Sequence, residues 1–445
     1  DNDRDGLFDC QDPNCQGSAT CPLEIPGCIY DDATNFDANA TIDDGSCTFL
    51  FLTQDDIDAA YDDGYTDGLN TGFTAGYDQG YAAAPDAAYD EGYAKGVADT
   101  APVSTLDTIL ARGSMKCGVK ESQFGMGYLS EDGVRSGLDI EYCRAVAAAI
   151  GLNPDTDITY VPASSSDRFE KLASEEIDVL IRTTTWTTSR DAGLNADFAG
   201  MNFYDGQGIL ISENSFSASV SENSVSNLGG AKICVGTGTT TEGNLADYFT
   251  FNGITFEAIN VENAEQATEK FVAGECDAFT GDMSAMVARK RILDQNTYAA
   301  EDALGNGTWI AKELLSKEPL GAATRDNDDD WNDVVAWVWY GMITAEEFGI
   351  TSANYAAEAT TAAADGGDPG INRLLNQNLG LGTETNPLAD TWMQAVLGAV
   401  GNYGEAYDRS FCDGDGGMNN CLIDRAGTAN DLAANGGLQY APPMR

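Results

Sequence analysis

Five aspartates near the start of the chain have the spacing of a calcium loop. Residues 1–12 read DNDRDGLFDCQD, placing Asp1, Asp3, Asp5, Asp9 and Asp12 at loop positions 1, 3, 5, 9 and 12. Gly6 falls at the sharp turn. Carboxylate oxygens so spaced can wrap one Ca²⁺, although an Asp in the last position reaches less far than the Glu of an EF-hand. The competing reading is a solvated acidic turn. A different chemistry is offered by GTGTTTEGN (236–244), a strand-to-helix turn around Thr240. Backbone N–H groups at a helix start attract anions, and Gly236 and Gly238 permit close approach. The Lys that a phosphate loop requires is missing. In RTTTWTTSR (182–190), Arg190 carries a planar fork that can hold both oxygens of a carboxylate. Taken alone, such an Arg is far more often a surface salt bridge.

Histidine is absent from all 445 residues. That excludes Ser-His-Asp and Cys-His catalysis and the usual zinc and haem sites. The eleven cysteines form no CxxC pair and fall into local groups, so disulfides are expected, and with them a place outside the cytoplasm. The expected pairs are Cys28–Cys47, Cys117–Cys143, Cys234–Cys276 and Cys412–Cys421. The odd cysteine implies a free thiol or a partner lost upstream. The chain also opens inside a motif, which reads as a trimmed terminus with its signal removed. With 72 acidic against 23 basic residues the net charge is −49, which excludes nucleic acid and anionic lipid as partners. No run of about 18 apolar residues is present to span a membrane.

The elements that must hold these groups divide near residue 102. Residues 1–22 form the acidic calcium-loop segment, and 23–52 a small Cys-bracketed module whose role is structural. Residues 53–101 repeat Gly every fourth position, with Tyr65, Leu69, Phe73, Tyr77 and Tyr81 each one place beyond a glycine. A glycine stripe lets helix backbones approach closely while the rings supply buried area. A helical stalk or hairpin is expected there, with self-association through residues 54–99; a flexible spacer is the alternative. From residue 103, strand, helix and strand alternate. Expected strands are 115–119, 157–163, 178–182, 231–238, 255–260 and 277–281. Expected helices are 138–151, 167–177, 241–249 and 264–273. The pattern implies an α/β fold with two similar lobes and a cleft at the carboxyl ends of strands.

Residues 103–445 resemble the amino-acid-binding proteins of ABC importers, solute-binding protein family 3, in the general L-amino-acid subgroup. The motifs that carry this include SGLDIEYCRAVAAAIG, DVLIRTTTWTTSRD, ICVGTGTTTEGNLADYF, GECDAFTGDMSA, LLSKEPLG and GGLQYAPPMR, in family order. The resemblance implies a two-lobed type II periplasmic-binding fold. Lobe one would hold 102–210 and 319–445, and lobe two 211–318, with hinges near Gln207–Ile211 and Ser316–Gly321. It further implies that Arg190, Thr183, Thr185 and Thr240 take the carboxylate of a free amino acid and that Asp282 takes its ammonium. Removing Arg190 should then abolish binding. Trp186 and Tyr204 are candidates to stack on the ligand, with core packing as the alternative. The side-chain pocket is expected near Glu121–Tyr128, Ser164–Ser166 and Trp186. The implied partners are the amino acid and the transporter's membrane subunits, with no catalytic cofactor, in the periplasm or at the cell surface. The rival readings are a carboxylate enzyme built on Glu121, a sensor ectodomain and a surface filament subunit.

Overall fold

The computed structural model describes residues 103–445 and, ahead of them, residues 26–27, 35, 37–43 and 46. Contacts divide the chain into two units, Asp1–Ala101 and Pro102–Arg445. In the first, Pro26–Gly27 pairs in parallel with Ile42–Asp43. The Asp37 side chain accepts the Asn39 N–H at 2.9 Å, a local turn of the kind Asp favours. The calcium-loop aspartates, the Cys28–Cys47 pair and the period-four run at 53–101 lie outside the described residues.

In the second unit, short apolar runs form strands and amphipathic runs form helices in alternation. After a short helix at Thr105–Arg112, the first lobe contains β1 (Met115–Val119), α1 (Leu138–Ala149), β2 (Ile158–Pro162), α2 (Arg168–Ala173), β3 (Val179–Thr185) and α3 (Thr188–Asp191). The long strand β4 (Ala196–Ser212) leads out of it. The second lobe contains β5 (Ala231–Gly236), α4 (Thr240–Phe251), β6 (Phe256–Val261), α5 (Ala264–Val272), β7 (Ala278–Asp282), α6 (Met283–Asp294) and β8 (Thr308–Ile310). The chain returns through β9 (Lys317–Arg325) to α7 (Asp329–Glu347), α8 (Trp392–Val400) and α9 (Tyr403–Phe411). Most element bounds fall within a few residues of expectation. Helix α2 is the exception, stopping at Ala173 where 177 was expected, and Glu175 just beyond it takes a left-handed φ of 62°.

One nine-stranded sheet runs through both lobes in the order β6-β5-β7-β4-β9-β3-β1-β2, with β8 also paired to β4. Strands β1, β2 and β3 are parallel to one another, as are β5, β6 and β7. The two crossover strands β4 and β9 run antiparallel to their neighbours. On β4 the partner changes from β9 at Gly206 to β7 at Gln207, a few residues before the lobe boundary drawn at 210. Strand β9 is irregular between Gly321 and Ala323. A Cβ on Gly321 would come within 2.6 Å of the Gly200 carbonyl oxygen, so only glycine allows the crossovers to lie this close.

Each lobe has its own core. In the first, α1, α7 and α8 cover the sheet around the fully buried Trp331, Trp339 and Trp392. In the second, the period of two along a strand sends Ile209 and Ile211 to one face and Leu210 to the other. Strand β5 does the same with Ile233 and Val235 against Cys234. The disulfides Cys117–Cys143, Cys234–Cys276 and Cys412–Cys421 are all formed. The first ties β1 to α1, the second ties β5 to the turn before β7, and neither joins one lobe to the other. Among the described residues no helix is long and apolar enough to cross a membrane.

Candidate ligand cleft

The carboxyl ends of β1, β2, β3, β5, β6 and β7 all reach one cavity of 430 Å³. Within each lobe the parallel strands share a direction. The three antiparallel pairings β3–β9, β9–β4 and β4–β7 set the two lobes' strands in opposite directions, so both halves of the sheet deliver their loops to the same crevice. The lobes are in contact around it. Gln123 Nε2 donates to Ser284 Oγ at 2.8 Å, and the Thr185 and Thr240 hydroxyls lie 3.4 Å apart. Gly238, at φ 72°, sits where a Cβ would be 3.6 Å from the Ser165 carbonyl oxygen.

Asp282 ends β7 and lines the cavity half-buried. It occupies the N-cap position of α6, yet its side chain makes no capping hydrogen bond, so its carboxylate is not spent on the helix. Burial pushes its pKa up, while the charges of Lys120, Arg182 and Arg168 oppose that rise. Asp205 lies behind it, accepting the N–H groups of Gly206 at 2.8 Å and of Ser284 at 3.3 Å. Burial and the neighbouring Asp282 charge push the Asp205 pKa up to about 7.

Thr183, Thr185 and Thr240 also line the cavity. Thr183 is β-branched but held at φ 44°, a conformation that needs support from its surroundings. That support comes from Asp139, which accepts the Thr183 N–H at 2.9 Å and the Asn202 amide at 3.0 Å. Burial pushes the Asp139 pKa up to about 6. The Thr183 N–H therefore faces α1, away from any ligand.

Thr185 and Thr240 meet a group that sequence reasoning missed. Glu318, fully buried on β9, accepts hydrogen bonds from Thr185 Oγ1 at 2.7 Å, Thr240 Oγ1 at 2.6 Å, Asn244 Nδ2 at 2.7 Å and Ser316 Oγ at 2.5 Å. A hydroxyl has one proton, so both threonines donate to the protein's own carboxylate in this arrangement. The sequence signal is the Glu inside LLSKEPLG, a family motif that also falls on the expected hinge at Ser316–Gly321.

Arg190 is buried but stands behind the cavity wall. Its Nη1 donates to the Thr185 carbonyl at 2.9 Å, and its guanidinium lies 5.7 Å from the Phe169 ring centroid. Burial lowers its pKa, and the charges of Glu318 and Asp282 counter that. The cations in the wall itself are Lys120, Arg168, Arg182 and Arg289. Burial and Arg182 bring the Lys120 pKa down to about 8. Arg182 ends the expected strand 178–182, and its burial within that strand shows only in the fold.

Trp186 and Tyr204 fall outside the cavity lining. Trp186 stacks on Phe198 at 5.3 Å and packs over a small core beneath α2. Tyr204 donates its hydroxyl to the Leu438 carbonyl at 3.1 Å, fastening β4 to the carboxyl-terminal segment. Of the stretches expected to line the pocket, Glu121, Ser122, Gln123, Ser164 and Ser165 do so. Outside the cavity lining, Asp408, Asp413 and Asp415 bring carboxylate oxygens within 4.8 Å of one another. Asp408 there accepts the Gly416 and Met418 N–H groups, which closes the loop of the Cys412–Cys421 disulfide.

Comparison with known proteins agrees with this architecture. The family model described as bacterial extracellular solute-binding proteins, family 3, matches residues 115–305. A glutamate/glutamine/aspartate/asparagine-binding protein of Rhodobacter capsulatus is 40% identical over 349 residues, spanning 78% of this chain and 96% of that protein. A general L-amino acid-binding periplasmic protein of Rhizobium johnstonii is 37% identical over 350 residues, covering 78% and 95% of the two chains. Among solved structures, an ABC-transporter periplasmic binding protein from Brucella ovis with glutathione bound is 38% identical. Its TM-score is 0.68, and the match covers 77% of this chain and 100% of that one.

Proposed function

We propose that this chain, which belongs to the bacterial extracellular solute-binding proteins of family 3, captures free amino acids outside the cytoplasm and delivers them to the membrane subunits of an ABC transporter. The observation that carries this reading is that the uncapped Asp282 carboxylate and the amino terminus of α4 line one cavity fed by both lobes. A zwitterion needs that opposition of charges. Its ammonium goes to Asp282. Its carboxylate goes to the amino terminus of α4, where Thr240 and Thr241 line the cavity and the helix dipole favours an anion. Thr183 and Thr185 form the opposite wall, and Arg190 holds Thr185 from behind. Because both lobes touch one solute, the solute favours the closed arrangement over the open one. The solute is released unchanged. Glu121, the residue a carboxylate enzyme would use, is instead ion-paired to Arg135.

The acidic loop at Asp1, Asp3, Asp5, Asp9 and Asp12 takes Ca²⁺ as a structural ion in this reading. Residues 54–99 supply self-association, independently of solute capture.

Isothermal calorimetry with the common L-amino acids, paired with recovery of the solute after release, tests the function. Binding of several L-amino acids with no chemical turnover is the expected result, and a protein inert to all of them refutes it. In the same assay Arg190→Ala is expected to weaken binding about 50-fold, the scale for losing a charged donor's hydrogen bond that orients a wall residue.

A further inference from the structure

The cleft contains more buried positive charge than the α-amino and α-carboxylate groups of a solute can use. Arg168 is 3% exposed and Arg182 6% exposed, and both line the cavity. The Nε of each is buried without a hydrogen-bond partner. Arg182 reaches only the Ser165 hydroxyl, at 3.5 Å, while Arg168 rests over the Phe169 ring at 5.2 Å. Neither takes part in any of the ion pairs among the described residues. A chain with 72 acidic side chains had ample means to pair them.

The acids that share the cavity wall are otherwise engaged. Glu121 pairs with Arg135, and Asp167 accepts the Ser164 N–H at 2.6 Å and lies 3.6 Å from Lys171. Glu262 and Glu265 are exposed. Asp282 is the carboxylate left to face the interior, and the solute's ammonium claims it. Asp282 and Asp167, and for Arg182 also Asp139, offset part of the charge from a distance. Arginine keeps its proton even in apolar surroundings, so two guanidinium groups in no ion pair stay costly until an anion arrives.

We propose that Arg168 and Arg182 form a second anion seat, which selects solutes bearing a carboxylate beyond the α-carboxylate. That group can be an acidic side chain or the free end of a γ-linked dipeptide, since both offer the same planar pair of oxygens to a guanidinium fork. The seat rests on amino-acid capture by the same cleft and adds a preference within it. Lys120, its amine 2.8 Å from Gln123 Oε1, contributes further positive charge to the same wall.

Calorimetry on the full chain, Arg168→Gln and Arg182→Gln, with L-glutamate, L-glutamine and γ-glutamylglycine, tests the seat. The unaltered protein is expected to prefer glutamate over glutamine at least about tenfold. Each variant should lose about 100-fold for glutamate and less than about fivefold for glutamine, so that retained glutamine binding also reports an intact fold. Binding of γ-glutamylglycine with the same sensitivity to both variants extends the seat to dipeptides, and its absence confines the seat to side chains. Equal losses for glutamate and glutamine would mean the guanidiniums serve the α-carboxylate, which overturns the proposal. So would an unaltered protein indifferent to the two solutes. A protein that binds none of the three defeats the amino-acid reading itself, a different result from binding without discrimination.

Discussion

Asp282→Asn is expected to weaken amino-acid binding about 1,000-fold, the largest loss of any single substitution in the cleft. The amide keeps the volume but removes the charge, leaving the solute's ammonium in a half-buried site with no anion to meet it. Breaking a buried pair from one side costs about 3–5 kcal/mol, and each 1.4 kcal/mol is a factor of ten in affinity. Calorimetry at pH 7.5 reads the loss, and binding within tenfold of the unaltered protein would remove Asp282 from the site. The pH dependence supplies a second, independent signature. Burial raises the Asp282 pKa, and Asp205 beside it is pushed up to about 7. A carboxyl whose folded pKa exceeds its unfolded value binds its proton more tightly when folded, so both groups make the empty protein more stable as pH falls from 8 towards 4. Solute binding runs the other way, because the ammonium requires an ionised Asp282. Between pH 8 and 5 the melting temperature of the empty protein should therefore rise while the increment added by solute shrinks. An increment that does not change with pH would contradict the assignment.

Glu318→Ala is expected to reduce affinity several hundred-fold without altering any group in contact with the solute. Glu318 gathers Thr185 from the first lobe and Thr240 and Asn244 from the second onto one carboxylate at the crossover strand. Hydrogen bonds to a charged acceptor contribute about 1.5–3 kcal/mol each, and removing the shared acceptor leaves buried donors unsatisfied on both sides of the cleft. The Thr240 and Asn244 bonds tie the second lobe to the crossover strand, so their loss should shift the population towards the open form. Small-angle scattering should show a larger radius of gyration for the variant at solute concentrations that close the unaltered protein. Glu318→Gln should fail to restore closure, because its amide nitrogen would point a donor at donors. Unchanged affinity together with unchanged scattering would leave Glu318 as a packing residue only.

The lobed α/β fold was legible because its signals are local. Alternation of strand and helix patterns between 115 and 281 survives in the structure with small shifts of boundary. Cysteine grouping likewise led to three disulfides that are formed. Single residues were harder to place. Arg190 and Tyr204 sit in the expected motifs, yet one stands behind the wall and the other ties down the carboxyl-terminal segment. Arg168, Arg182 and Glu318 come into view only in the folded chain, because their burial and partners depend on contacts between distant elements.

What the amino-acid order settled alone was composition-level and periodic. It settled the absence of histidine chemistry, the acidic character of the chain, the order of strands and helices, and the short motifs around Thr183, Thr240 and Asp282. Tertiary structure decided where each proton and each charge is spent. Thr185, Thr240 and Glu318 are 55 and 78 residues apart in turn, as their hydrogen-bond partners show. Burial and bond direction at such a meeting depend on the angle between two lobes, a quantity no local pattern encodes.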